Sequence, residues 1–341
     1  MKPQAPLKPM EARSVDEIPV GPEWQYEPKW DGFRCLARRC EGTIELTSKS
    51  GQSLTPYFPE IVEGLRNLKS KRFLLDGELV VPKGNGLSFD ALLQRIHPAA
   101  SRVQQLSRET PAIFIVFDYL MDEKGRSLAN TNLEARRPAL EAFAKRYLGT
   151  QETVRLSPAA TELKTAMSWL KHVGDTLDGL IAKRRDRAYD AEARTAMVKI
   201  KIHRTADCVV GGFRYNEGKS LVGSLLLGLY DKRGLLHHVG FTSGLKAHEK
   251  PDLTRRLEKL VSEPGFTGEK PGGPSRWSTA RSAAWKPLQP KLVVEVSYDH
   301  FSGGRFRHGT SIVRWRPDKA PSQCTMEQLK QKRANLQRLL S

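Results

Sequence analysis

The sequence predicts an α+β chain of two domains, residues 1–203 and 204–341, the second a small Greek-key β-barrel. Three observations lead there. At 341 residues the chain is long for one core and short for three. Strand-like and helix-like segments alternate up to about residue 203, after which short strands separated by Gly-rich turns take over. The charge shifts at the same place. Of 56 Lys and Arg against 38 Asp and Glu, residues 204–341 hold 24 basic and 12 acidic, so the shorter part carries +12 of the net +18.

Taken in order, residues 73–81 (FLLDGELVV) and 112–120 (AIFIVFDYL) are β-branched, aromatic and apolar, the composition of buried strands. A polar connection between them reads as helical around residues 91–95. Residues 132–147 carry Leu133, Leu140 and Phe143 near helical spacing, and residues 161–173 open on Thr161, a helix-capping residue type. Beyond the break, residues 208–213, 224–230, 235–241 and 293–298 read as short strands, and 247–261 as a helix. No internal repeat stands out, and the one low-complexity stretch is the Gly/Pro/Ser-rich 263–278. Several strands with one helix suit an OB-fold, with the boundary near residues 203–207.

Composition excludes several classes. A chain 39% hydrophobic and 28% charged, with six Trp, is globular rather than disordered. No apolar run approaches the roughly 20 residues that span a bilayer, and MKPQAPLKPM lacks the apolar core of a secretory signal. Cys35, Cys40, Cys208 and Cys324 form no CxxC pair and no zinc spacing, which fits a reduced, soluble, cytoplasmic protein. A net +18 points to a polyanionic partner, nucleic acid first, and its concentration after residue 203 favours a dedicated basic domain over a uniformly basic surface.

Chemistry enters at Glu27-Pro28-Lys29-Trp30-Asp31-Gly32-Phe33-Arg34, a K-x-D-G-x-R pattern. A lysine there becomes a nucleophile once desolvation or neighbouring cations strip its proton. Alone, the pattern fits a surface lysine in an Asp-Gly turn equally well. The segments that follow decide between the two. Asp76-Gly77-Glu78 puts two carboxylates in an apolar strand, where they are costly without a cation or hydrogen bonds. Phe117-Asp118 ends another such strand. Asp178-Gly179-Leu180-Ile181-Ala182-Lys183 places a carboxylate and a lysine on a third. Lys199 and Lys201 in Met197-Val198-Lys199-Ile200-Lys201 share a face if that run is a strand, and Arg316-Pro317-Asp318-Lys319 follows in the basic domain.

This ordered series resembles the motifs of the covalent nucleotidyltransferase superfamily, specifically the ATP-dependent DNA ligases. It is most similar to the compact bacterial type without a large N-terminal DNA-binding domain, including the ligase module of end-joining proteins. The resemblance runs from about Glu27 to Lys319 and implies a nucleotidyltransferase (adenylation) domain followed by an OB-fold. It implies Lys29 as the nucleophile that takes AMP from ATP, Glu27 and Phe117 at the adenine, Arg34 at the ribose, and Glu78 at the ribose or metal. It further implies Asp178 as a metal ligand with Glu78, Lys199 and Lys201 on the α-phosphate, and Lys183 closing the phosphate side. Arg316, Asp318 and Lys319 match the motif that orients the leaving pyrophosphate. The implied cofactors are ATP and Mg2+ or Mn2+. The implied partners are nicked duplex DNA on the nucleoid and a repair polymerase or end-binding protein, with the enzyme itself a monomer and no membrane involved.

Two positions depart from the family pattern. Asp178 stands where Glu is common, one methylene shorter, and Lys49 stands where Arg is common, without the planar bidentate fork. Gly218-Lys219-Ser220 resembles the end of a phosphate-binding loop, but Phe213 occupies the position that requires the first Gly. The His237-His238 pair lacks metal spacing. Against the expected ligase stand two alternatives: an RNA ligase or GTP-using capping enzyme of the same superfamily, and a DNA-end-binding module without catalysis.

Overall fold

The computed structural model describes residues 7–84, 86–149, 151–173, 177–190, 195–201, 204–216, 218, 220–272, 284–329 and 339. His203 at the expected boundary, residues 273–278 of the low-complexity stretch and Lys219 lie outside the described residues. The chain divides into two compact units, Met1–Lys201 with Gln331–Ser341, and Ile202–Lys330. Among the described residues no helix is long and apolar enough to cross a membrane.

The strands of the first unit are β1 (Arg13–Ser14), β2 (Trp24–Lys29), β3 (Phe33–Cys40), β4 (Thr43–Ser48), β5 (Phe73–Val80), the short hairpin β6 (Pro82–Lys83) and β7 (Gly86–Leu87), β8 (Ile113–Met121), β9 (Val154–Leu156), β10 (Gly179–Arg184) and β11 (Met197–Lys201). Its helices are α1 (Pro59–Arg66), α2 (Phe89–Gln94), α3 (Ala100–Glu109), α4 (Leu133–Phe143) and α5 (Leu163–Val173). Two start on the side-chain caps their sequences offer. Ser88 Oγ accepts from Ala91 N at 3.2 Å and Asn132 Oδ1 from Ala135 N at 3.1 Å, each satisfying an otherwise unpaired amide of a first turn.

These strands make two sheets, one ordered β4-β3-β5-β8-β9 and the other β1-β11-β10-β2. Alternation along a strand explains what each face does. In the larger sheet Cys35, Ala37, Phe73, Leu75, Phe114 and Val116 turn to one side, where Ile61 and Leu65 of α1 and Leu140 and Phe143 of α4 bury them in the main core. In the smaller sheet Tyr26, Leu180, Ala182 and Val198 pack against Ala166 of α5. The remaining faces carry the charged residues, and a cleft between the sheets is lined from both.

The second unit holds β12 (Arg204–Tyr215), β13 (Val222–Tyr230), β14 (Leu236–Thr242), the helix α6 (Lys250–Glu258), β15 (Lys286–Pro287), β16 (Val293–Tyr298), β17 (Phe301–Ser302), β18 (Arg305–Phe306) and β19 (Ser311–Trp315). The main sheet is antiparallel in the order β14-β13-β12-β16-β19, with β15 on β12. It curls so that, among the described residues, a single bridge, Thr242 to Thr310, links its two edges. Thr310 N donates to Phe241 O at 3.2 Å and Thr242 Oγ1 to Thr310 O at 2.8 Å, around a core that includes Val209, Leu227, Leu236, Val296 and Phe266. This is a strongly curled antiparallel sheet compatible with the expected OB-fold, its barrel not closed by a continuous ladder among the described residues. The expected 247–261 helix is shorter, a 3-10 turn at Ala247–Glu249 leading into α6.

Candidate active site

Cross-strand register builds the floor of the cleft. Lys29, Gly179 and Lys201 stand side by side on β2, β10 and β11. Two residues along each strand, hence on the same face, stand Glu27, Ile181 and Lys199, and beyond them Gln25, Lys183 and Met197. The first row closes this tightly only because its centre is a glycine. Gly179 sits at φ +138°, and a Cβ on it would lie 1.9 Å from the Ile200 carbonyl oxygen. The Gly32 of the lysine motif is bound in the same way, since a Cβ there would lie 2.1 Å from Leu79 O.

The facing sheet supplies the other wall. Arg34 and Glu78 pair across β3 and β5, and Phe117 comes from β8. Glu27, Lys29, Arg34, Lys49, Glu78, Phe117, Lys183 and Lys199 all line this one cleft. Asp178 joins it through an ion pair with the Lys29 ammonium. Lys201 stands in the Lys29 row. Lys49 reaches the rim, where it pairs with Glu11 at 2.9 Å.

At its deep end the cleft has an ordered, buried charge lattice. Lys183 Nζ lies 2.8 Å from Glu27 Oε2, both side chains almost wholly buried, and donates to Phe117 O at 3.2 Å. Gln25 Nε2 donates to Glu27 Oε1 at 2.8 Å. The Phe117 ring has the Arg34 guanidinium carbon 4.5 Å and the Lys183 ammonium 4.8 Å from its centroid. Arg34 is itself held by a bidentate pair to Asp76 at 2.5 and 2.6 Å, and Asp76 accepts from Tyr189 Oη at 2.6 Å. Met10 N donates back to Tyr189 Oη at 2.9 Å, fastening the N-terminal segment that lines the cleft at residues 9–12.

The resemblance implied that Lys183 closes the phosphate side of the cleft. In the structure it stands two rows from Lys29 and Lys201, against Glu27 and Phe117. Four residues along an extended strand carry a side chain more than 10 Å away, which moves it from one end of the cleft to the other.

The electrostatics are uneven. Burial pushes the Glu78 carboxyl up to about 8, against the pull of Arg34 and Lys29 and helped by Asp76 and Asp31. Burial, then the fields of Lys29, Lys201 and Lys49, moves the Lys199 ammonium below its ordinary value. Among the described residues Glu78 has no hydrogen-bond or ion-pair partner, and no group of three or more His, Cys, Asp or Glu forms a metal cage. A hard divalent cation fits this donor set. Glu78 is a half-buried carboxylate that a cation would keep ionised, Asp178 is a second, and phosphate oxygens and water complete such shells.

Arg316, Asp318 and Lys319 gather in the second unit around a residue the sequence had left without a role. Asp207 Oδ1 lies 2.9 Å from Arg316 Nη1 and its Oδ2 2.6 Å from Lys319 Nζ, while Arg316 also forks to Asp318 at 3.0 and 2.8 Å. Asp76, Asp118, Tyr189 and Arg136 were likewise unassigned. For Asp76 there was a signal, since its two-residue spacing from Glu78 puts both on one face of β5. Asp118 carries the same kind of signal as a carboxylate in an apolar strand, and Tyr189 and Arg136 have none short of the fold.

Comparison with known proteins agrees over most of the chain. A family model described as "ATP dependent DNA ligase domain" matches residues 9–201, and a second, "ATP dependent DNA ligase C terminal region", matches residues 218–319. DNA ligase C2 of Mycolicibacterium smegmatis is 41% identical over 344 residues, covering 95% of this chain and 94% of that protein. A Mycobacterium tuberculosis protein named "Multifunctional non-homologous end joining DNA repair protein LigD" is 34% identical, over 89% of this chain and 38% of its own length. A solved structure from a study of Lig E DNA ligases shares the fold, at TM-score 0.54 and 16% identity, covering 91% of this chain and 99% of that one.

Proposed function

The chain belongs to the ATP-dependent DNA ligases, and from that premise we propose that Lys29 is the amine that carries AMP between ATP and a nick. The observation that carries this reading is the row of Lys29, Gly179 and Lys201 with Asp178 paired to the Lys29 ammonium, at one end of a cleft whose other end holds Glu27 and Phe117. A nucleotide fits that polarity with its base against Phe117 and Glu27, its ribose near Arg34 and its α-phosphate between Lys29, Lys199 and Lys201. Asp178, in contact with the Lys29 ammonium, is the nearest acceptor for the proton the amine must lose. The amine then attacks the α-phosphorus, the bond to pyrophosphate breaks, and a lysyl-AMP phosphoramidate forms. AMP passes to the 5′-phosphate of the nick, and the 3′-hydroxyl displaces it to close the backbone.

Lys199 and Lys201 supply fixed positive charge where the phosphate oxygens gain negative charge, the arrangement that lowers such barriers most. Glu78 and Asp178 would hold Mg2+ or Mn2+, which when bound adds charge of the same sign beside those oxygens. Arg316, Asp318 and Lys319 act on the departing pyrophosphate. Residues 1–203 form the adenylating domain, and the basic stretch after 203, whose residues up to Lys330 make the second unit, grips duplex DNA. The end-joining relative supports a place in DNA repair, and we propose that the enzyme works in the cytoplasm on the nucleoid, as a monomer supplied with nicks by a repair polymerase or an end-binding protein.

Incubation with labelled ATP and, separately, labelled GTP tests the core of this. The protein should take label from ATP, Lys29→Ala should take none, and the parent should seal nicked DNA in preference to nicked RNA. Label that survives Lys29→Ala would move the nucleophile elsewhere. Preferential labelling by GTP would favour the capping alternative.

A further inference from the structure

Behind the base end of the cleft lie two buried charges with no part in the chemistry above. Arg136, on α4 and wholly buried, donates from Nε to Asp118 Oδ1 at 2.8 Å and from Nη2 to Asp118 Oδ2 at 3.3 Å. Its Nη1 is committed to the carbonyls of Thr131 and Arg187. Asp118 Oδ2 in turn faces Lys183 Nζ at 3.9 Å, and Lys183 holds Glu27. The four charges alternate in sign, from Arg136 through Asp118 and Lys183 to Glu27.

We propose that Asp118 and Arg136 are positioning residues that set the base selectivity of the cleft by keeping the Lys183 ammonium turned away from it. The proposal rests on the reading of Glu27 and Phe117 as the base contacts. An ammonium has three hydrogens to place. Glu27 Oε2 and Phe117 O take two, and the negative charge of Asp118 draws the third side away from the cleft. Glu27, fixed from one side by Gln25 and from the other by Lys183, therefore presents only acceptor lone pairs to a bound base. A 6-amino purine brings a donor to that acceptor. A 6-oxo purine brings a second acceptor, and two facing acceptors without water are penalised heavily. Were Lys183 free to turn, its N–H would donate to the 6-oxo oxygen and the discrimination would fade.

The two partners act in opposite directions. Without the charge on Asp118, Lys183 swings toward Glu27 and the cleft. Without Arg136, Asp118 has only Lys183 to compensate it and draws the ammonium off Glu27, which then holds adenine poorly. The test is covalent labelling by ATP and by inosine triphosphate, whose base differs from adenine by the 6-oxo group and its ring N–H. The ratio of the two efficiencies does not depend on how much of a preparation is folded.

Asp118→Asn should lower the ATP-to-inosine ratio about tenfold. Arg136→Gln should raise KM for ATP by a similar factor with the ratio kept. Glu60→Gln, which breaks the buried Arg95–Glu60 pair at 2.7 Å elsewhere in the unit, should lower the melting temperature and leave the ratio alone. A parent that discriminates, with an Asp118→Asn ratio no different from that of Glu60→Gln, would overturn the proposal and leave the base-contact reading standing. So would a ratio that collapses in Arg136→Gln, which decides the matter if Asp118→Asn does not fold. A parent that accepts both nucleotides equally would remove the base-contact reading and the proposal with it.

Discussion

Glu78 illustrates how a single residue ties the cleft to solution conditions. Its carboxyl is raised from 4.5 to about 8, mainly by burial, so the folded protein keeps a proton that the unfolded chain releases near its ordinary value. The sign follows. Folded-state stability from this group is complete below about pH 4.5, declines as pH rises and is lost above about 8. Glu78→Gln removes that slope. At pH 8.5 without divalent metal it should melt a few degrees above the parent, since 1 kcal/mol is worth about 2–4 °C in a domain of this size, and at pH 4.5 the two should coincide. Adding Mg2+ at pH 8.5 should raise the parent's melting temperature and leave the variant's unmoved. A parent whose stability is flat from pH 5 to 8.5 would remove the argument. Glu78 was legible in the sequence because a carboxylate inside an apolar strand breaks the pattern around it. Arg136 and Asp207 were not, because each looks like any other charged residue until the fold brings it to a partner 18 or 109 residues away.

Strands explain why the motifs have the spacing they do and why their partners cannot be read from it. The alternation in residues 73–81 and in Met197-Val198-Lys199-Ile200-Lys201 tells which side chains share a face. It says nothing about which strand lies alongside, and the β2–β10 pairing joins residues 150 positions apart, Lys29 to Gly179. Once the register is known, the glycine opposite Lys29 becomes a requirement. Gly179→Ala must push β10 away from the Ile200 carbonyl and adopt a φ that alanine resists, together costing roughly 2–5 kcal/mol. Labelling at Lys29 should fall with it even at temperatures where the variant remains folded by circular dichroism, because the shift moves Asp178 and Lys183 as well. Gly244→Ala, where an added Cβ meets nothing within 4 Å, serves as the control and should melt with the parent. If Gly179→Ala labelled normally, the row geometry would not be what positions the nucleophile.

At the scale of the whole molecule the two units carry equal net charge, 21 basic against 12 acidic residues in 202–330 and 35 against 26 in the rest, so the excess is denser in the smaller unit. A basic unit that grips duplex phosphates releases condensed counterions, so binding of the full chain to nicked DNA should weaken about a thousandfold between 50 and 200 mM salt, and a shallow dependence would argue for a merely basic surface. The same division separates the steps of the reaction. Arg316 and Lys319 both pair with Asp207, at 2.9 and 2.6 Å, so either cation still compensates that carboxylate when the other is removed. Removing either cation should therefore leave the unit folded, so that any kinetic loss reports on chemistry. Charge builds on pyrophosphate only while Lys29 is being adenylated, and fixed donors aimed at such charge are worth about 100-fold or more in rate. Arg316→Ala and Lys319→Ala should slow labelling of Lys29 by that factor. Both should still seal a nick that already carries AMP on its 5′-phosphate, because no pyrophosphate leaves in that step. Single-turnover measurements of the two steps on the same preparation decide it. Parallel loss in both would make Arg316 and Lys319 contacts to DNA, and the role at pyrophosphate would have to be given up.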